Sequence, residues 1–307
     1  MISKIIRLYE IIRLFIINKS INYLSDLMFV WLASYPKSGN TLTRSLLAAY
    51  FFSNDGIFDF QLLKNIKQFP KTQLFLKNGV DIKNEKEVIK NYIKIQETIN
   101  EKKNIQFLKT HSYLFNFDNN PFTNLENSLG AIYIVRDPRN VILSYANHNS
   151  KSQDEAAEDL IKGRSLGEDD HNQVNIYPGT WAGNYNSWKS FKNINKYLLV
   201  KYEDLIKDKE KGFYDILKFT HNLKKIDFNL DKKKFQNVIE STNFERMKEL
   251  EKINGFEESM LNKKTGKKIT FFSQGKKRNW KNTLKENIKN KIEKAFEQEM
   301  LELSYLK

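Results

Sequence analysis

The sequence contains no cysteine, and only five prolines and twelve glycines in 307 residues. Without cysteine there is no disulfide, no thiolate metal site and no cysteine nucleophile, and a reducing cytoplasm is the expected location. No stretch of 18 apolar residues occurs, and no small-residue cleavage site follows a short apolar core, so neither a membrane-spanning helix nor a secretory signal is expected. No repeat and no Pro/Ser-rich linker divides the chain. With 40% hydrophobic and 13% aromatic residues, it has enough apolar surface for one large core.

Positive charge, by contrast, is abundant: 51 Lys and Arg against 37 Asp and Glu give a formal charge of +14. That balance suits an anionic ligand, a nucleic acid or a membrane surface. Lysine is scattered along the whole chain, often beside Asn and Ile, so most of it reads as solvated helix faces and no nucleic-acid partner is expected. Residues 1–27 read as an N-terminal helical extension, with Ile5, Leu8, Ile12 and Phe15 on one stripe interrupted by Lys4, Arg7, Glu10 and Arg13. Packing on the domain is the first expectation for it, and peripheral contact with a membrane face the second. Residues 28–307 read as a single α/β domain.

Four short apolar runs rich in β-formers mark strands: "LMFVWLASY" from Leu27, "IQFLKTH" from Ile105, "LGAIYIV" from Leu129 and "KYLLVKY" from Lys196. Helical stretches separate them and hairpin signals are few, which predicts a parallel sheet flanked by helices on both faces. Segment 55–104 is lysine-rich and helical in pattern. On such a sheet ligands bind beyond the carboxyl ends of the strands. Lys37, Ser38, Lys109, His111, Arg136 and Tyr202 all fall there. The run "EDDH" at 168–171 is too contiguous to converge on a metal and reads as solvated loop, so no metal is expected; 252–269 reads as a second loop.

The junction "SYPKSGNT", residues 34–41, has particular chemistry. A strand turning directly into a helix aims free backbone N–H groups at one point, where the helix dipole also favours negative charge. Gly39 allows close backbone approach, Ser38 and Thr41 add hydroxyls, and Lys37 adds a cation. Phosphate or sulfate is the natural guest. The spacing is not that of the nucleotide-triphosphate loop, which places Lys and then Ser/Thr after a second glycine. His111 can take a proton near neutral pH, and Lys109 beside it favours chemistry over a merely hydrogen-bonded histidine.

"SYPKSGNT" resembles the 5′-phosphosulfate loop of the sulfotransferases that use 3′-phosphoadenosine 5′-phosphosulfate (PAPS), and "IYIVRDPRNVILSYANH" resembles their 3′-phosphate motif. "LKTH", "LLVKYEDL", "STNFERM" and "GKKRNWKN" follow in the family's order, so the resemblance spans about residues 28 to 283. It implies a P-loop-like α/β fold, PAPS as co-substrate and no metal. It also implies that Lys37 contacts the oxygen bridging phosphate and sulfuryl group, with Ser38, Gly39, Asn40 and Thr41 on the 5′-phosphate. Arg136 and Ser144 would take the 3′-phosphate. His111 would be the general base, and Lys109 a second cation on the sulfuryl group. Tyr202, Thr242 and Phe244 would lie by the adenine or nearby phosphate, and Gly275 and Lys276 in the closing loop.

Two departures stand out. Leu42 occupies the position where the family stacks a Trp on adenine, and Ser273 and Gln274 stand where an Arg-Lys pair is usual, with Lys276, Lys277 and Arg278 as the nearest replacements. The implied acceptor is a small molecule or glycan hydroxyl, with Trp181, Tyr185 and Trp188 as pocket candidates, and oligomeric state is left open. The alternative functions are a nucleotide-dependent phosphotransferase, which needs a magnesium ligand pair, and a non-catalytic basic binding protein.

Overall fold

The computed structural model describes residues 29–100, 106–167, 172–261, 265–272 and 279–307. The N-terminal extension, the "EDDH" run, Gly275 and Lys276 lie outside these.

The central strand β1 (Phe29–Ser34) is buried along its whole length, as a continuous apolar run in a parallel sheet should be. Its side chains alternate between two cores: Phe29, Trp31 and Ala33 face one layer, and Val30 and Leu32 the other. β2 (Lys67–Gln68), β3 (Gln106–Thr110), β6 (Ser128–Val135) and β7 (Tyr197–Lys201) complete a parallel sheet in the order β2-β3-β1-β6-β7. A small antiparallel pair, β4 (Asn116–Phe117) and β5 (Asn120–Pro121), stands apart. Helices cover both faces, so the expected fold class holds.

Edge strand β2 departs from the helical reading of 55–104. Only two residues long, it carries too little alternation to register as a strand. It nevertheless pairs Gln68 with Lys109.

Register decides where the functional groups meet. Ala33 lies opposite Thr110, Ser34 opposite Ile134, and Val135 opposite Lys201. The carboxyl ends of four strands are therefore level, and the residues just beyond them, Lys37, His111, Arg136 and Tyr202, share one rim. Two helices begin there. α1 (Asn40–Phe52) follows β1 after five residues, and α2 (Pro138–Asn149) follows β6 after two. Asp137 caps α2 by accepting from Arg139 N (2.9 Å), with Pro138 in the first turn, where its missing N–H costs nothing. Arg139 spends its charge on Asp137 and Glu293 and stacks on Trp280 at 3.9 Å, so it braces the fold while its neighbour Arg136 faces the rim.

Helix α3 (Gln153–Lys162) is closed at its start by a capping box between Ser152 and Glu155. Helix α4 (Trp181–Trp188) corrects the acceptor-pocket expectation. Trp181, Tyr185 and Trp188 are 0%, 2% and 0% exposed, and none lines the cleft. Their helical spacing turns them into the core: Trp181 packs on Phe296, Tyr185 donates to Glu302 (3.0 Å) and Trp188 Nε1 donates to the Ser112 carbonyl (3.0 Å).

Candidate functional site

The loop between β1 and α1 takes its shape from two left-handed residues, Lys37 (φ 67°) and Gly39 (φ 103°). At Gly39 a side chain is also sterically forbidden, because a Cβ would lie 2.3 Å from the Tyr202 ring. No side chain caps α1, which leaves the N–H groups of its first turn open to a ligand. The Ser38 hydroxyl is fully buried and, among the described residues, has no partner. A buried unpartnered donor beside an uncapped helix start is the arrangement an oxyanion completes. The Asn40 side chain is already committed, donating to the Leu32 carbonyl (2.9 Å) and Ser34 Oγ (3.1 Å), so Asn40 offers the loop its backbone N–H.

Around this loop opens a cleft of about 1850 Å³. Lys37, Gly39, Asn40, Thr41, Leu42, Lys109, His111, Arg136, Ser144, Tyr202, Thr242 and Phe244 all line it. Ser38 lies buried in the loop itself. Arg136 stacks on the Tyr202 ring at 4.6 Å and donates to the Lys37 carbonyl (3.2 Å), while its Nε is buried and unpartnered. Thr242 is buried; its hydroxyl donates to the Val238 carbonyl (2.6 Å) and accepts from Lys209.

His111 is held at both its ring and its backbone. Nδ1 lies 2.9 Å from the Ser34 carbonyl, which can only accept, so Nδ1 carries the proton and Nε2 keeps its lone pair. The Ser34 hydroxyl is a further neighbour of Nδ1 at 3.2 Å. From behind, Asn184 of α4 donates to the His111 carbonyl (2.9 Å) and the Pro178 carbonyl (2.8 Å), and accepts from Tyr133 OH (2.8 Å). Burial, then the charge of Lys109, push the His111 pKa down to about 3, so the imidazole is neutral throughout the physiological range.

The cations are correspondingly strained. Burial, reinforced by Lys109 and Arg136, brings Lys37 down to about 7 despite the attraction of Glu258. Burial also lowers Lys109, which Glu258 partly offsets. An anion entering here stabilises the charged form of Lys37, so ligand binding must take up protons. Titrating adenosine 3′,5′-bisphosphate at about pH 8 in buffers of different ionisation enthalpy should reveal uptake of up to about one proton, with affinity falling as pH rises through about 7 to 9. Heats that do not depend on the buffer would count against Lys37 as the anion's partner.

Several lining residues carried no sequence signal. His148, lowered to about 4 by burial and then by Lys37, stacks edge-on to Phe271. Lys209 is lowered to about 8 by burial and donates to the Ile239 carbonyl (2.5 Å). Glu258 reaches in from a loop. It accepts from Thr41 Oγ1 (3.1 Å), Arg44 Nη1 (2.5 Å) and Lys109 Nζ (3.1 Å). Burial opposes its charge, but Lys109 and Arg44 outweigh that and hold the carboxyl well below the usual carboxylate range. Among the described residues no cluster of three His, Asp or Glu is arranged to hold a metal, and no helix is long and apolar enough to cross a membrane.

A level parallel sheet, with at its centre a strand–loop–helix whose helix start is uncapped, defines a P-loop-like α/β protein. The sulfotransferase domain profile matches residues 28–304, and the chain belongs to that family of sulfuryl-transferring enzymes. It is similar to luciferin sulfotransferase of Photinus pyralis, 25% identical over 282 residues that cover 83% of this chain and 67% of the relative. The fold is also that of mouse sulfotransferase SULT7A1 complexed with PAP (TM-score 0.52, 17% identity, 89% of this chain and 85% of that one). A retinol dehydratase complexed with retinol and PAP has it too (TM-score 0.54, 18% identity, 88% and 80%).

Proposed function

We propose that the protein transfers the sulfuryl group of PAPS to an acceptor hydroxyl, with His111 as general base. The observation that carries this reading is the His111 ring: its Nδ1–H is tied to the Ser34 carbonyl, so a neutral Nε2 is presented in the same cleft as Lys37 and Lys109. In the reaction the acceptor oxygen forms a bond to sulfur while the S–O bond to the 5′-phosphate breaks. His111 Nε2 takes the acceptor proton, and the electron pair of the broken bond stays on the phosphate oxygen. Lys37 neutralises that leaving oxygen, and Lys109 the oxygens of the moving group. Preorganised cations in a water-poor site are what such a charge-spreading transition state requires.

The donor's other contacts follow the family resemblance. The uncapped start of α1 with the Ser38 and Thr41 hydroxyls takes the 5′-phosphate. Arg136 and Ser144 take the 3′-phosphate, and Leu42, Tyr202, Thr242 and Phe244 border the adenine. Gly275 and Lys276, with Lys277 and Arg278, complete the 3′-phosphate site from the closing loop. For the acceptor we favour a hydroxyl on a glycan or glycolipid. Leu166, Ile176, Met260, Leu261 and Ile269 give the cleft an apolar stretch suited to a ring face or lipid chain. The named relatives, a luciferin sulfotransferase and a retinol-bound dehydratase, handle compounds with such apolar parts.

Adenosine 3′,5′-bisphosphate at several hundred-fold its Kd should stabilise the protein by roughly 3–4 kcal/mol, and ATP by less. The check is a thermal melt with each nucleotide. A shift with ATP equal to or larger than that with the bisphosphate would remove the donor assignment, since the 3′-phosphate site would then have no effect.

A further inference from the structure

Glu258 stands where an anionic substrate belongs. Two of its three partners, Thr41 and Lys109, are groups that the sulfotransferase reading gives to the donor: the single O–H proton of Thr41 is spent on the carboxylate, and Glu258 takes part of the charge of Lys109 that a phosphosulfate oxygen would otherwise meet. The third is Arg44, one turn into α1. Arg44 is 6% exposed, and among the described residues Nη1 meets Glu258 and Nε has no partner. Two buried cations, Arg44 and Lys109, thus share one carboxylate. Were it to leave with nothing in its place, both would be buried charges without compensation, which is strongly unfavourable.

The same segment of chain covers the remaining cation of the cradle. Phe271 lays its ring over Lys37 Nζ at 3.9 Å from the centroid. Buried Glu251, on helix α5 (Phe244–Asn254), holds both limbs of this segment, accepting from Ser259 Oγ (2.8 Å) and from the backbone N–H groups of Phe271 (2.7 Å) and Phe272 (2.9 Å). The limbs are also joined by Ile269 N donating to the Met260 carbonyl (2.7 Å). With Ser259 fixed in this way, the Glu258 side chain can rotate out of the cradle while the backbone beside it stays in place.

We infer that Glu258 is a built-in competitor for the donor, and that Arg44, whose charge it balances in the donor-free protein, becomes a further donor-binding cation once Glu258 is displaced. This rests on the donor site proposed above. A carboxylate carries one charge and two oxygens, whereas the phosphosulfate group carries more of both. The phosphosulfate group therefore satisfies Arg44, Lys109 and Thr41 together, with acceptor oxygens left over for the Ser38 hydroxyl and Arg44 Nε–H. Nucleotides whose anionic group does not reach Arg44 gain nothing to offset the displacement, so the competitor also sharpens selection for the full donor.

The test is calorimetric titration of the full chain with adenosine 3′,5′-bisphosphate and with PAPS. Glu258→Gln removes the competing charge and keeps the shape of the side chain. Because leaving strands two buried cations, the carboxylate holds the cradle at least about nine-tenths of the time, and this variant should bind both nucleotides at least about tenfold more tightly. The double variant Arg44→Gln/Glu258→Gln should lose that gain, and should lose more for PAPS than for the bisphosphate. Glu258→Asp, too short to reach all three partners, provides a second route to the same tightening. A folded Glu258→Gln or Glu258→Asp protein that binds no more tightly than wild type overturns the inference. So does failure of both to fold, which would make the ion pair structural. Wild-type protein that does not bind the bisphosphate at all would instead sink the donor assignment, so the two failures are distinguishable.

Discussion

His111→Ala protein is expected to turn over about 10²- to 10⁴-fold more slowly while binding adenosine 3′,5′-bisphosphate as wild type does. The substitution removes Nε2, the lone pair that the Ser34 carbonyl holds available, and leaves the 35–41 loop and Arg136 in place. The Asn184 contact goes to the backbone carbonyl of residue 111, so the truncated residue keeps its position. Because His111 titrates only near about 3, wild-type turnover should show no acid limb from this group between about pH 5 and 8. The base is lost only when pH falls through the folded pKa of His111. A folded alanine variant that retains most of its activity on a verified acceptor would move the proton acceptor to Lys109 or His148.

Lys37→Ala should fail in a different way, losing donor affinity and turnover together. Its ammonium lies in the cradle itself, so it meets the ground-state phosphate as well as the charge that grows on the leaving oxygen. The expected loss is about 10-fold or more in affinity and about 10²–10³-fold in turnover, the range for removal of one stabilising group at an oxyanion. Lys37→Arg should restore part of the affinity, since it returns the charge, but less of the turnover, because a planar fork cannot reproduce a point contact in a loop of left-handed geometry. The measurement pairs calorimetric binding of the bisphosphate with single-turnover kinetics. Unchanged affinity in the alanine variant would place Lys37 outside the donor site.

What could be read from sequence, and what could not, follows from how local each signal is. β1, β3, β6 and β7 were legible because each is a short apolar run rich in β-formers, the first three largely buried, and the 34–41 junction because its chemistry is contiguous. Edge strand β2 was not, since its two residues are defined by pairing alone. Trp181, Tyr185 and Trp188 were assigned to the wrong surface. Their helical spacing says that they share a face, but not whether a core or a ligand lies opposite. Glu258 was beyond reach altogether: it meets Thr41 across 217 residues of sequence, from a loop with no periodicity. Arg44 could have been flagged, as the one charged residue of α1, but nothing local named its partner.

The level strand ends have a consequence for how the protein matures. Lys37, His111, Arg136 and Tyr202 come from four stretches of chain that lie far apart until β1, β3, β6 and β7 are in register. A nascent chain that has emerged only as far as β3 holds one half of the rim, and a one-residue slip at β6 carries Arg136 away from the Lys37 carbonyl. Donor nucleotide therefore has nothing to grip in partly assembled forms. On the proposed donor site, nucleotide binding would add its free energy only to chains whose sheet has closed in register.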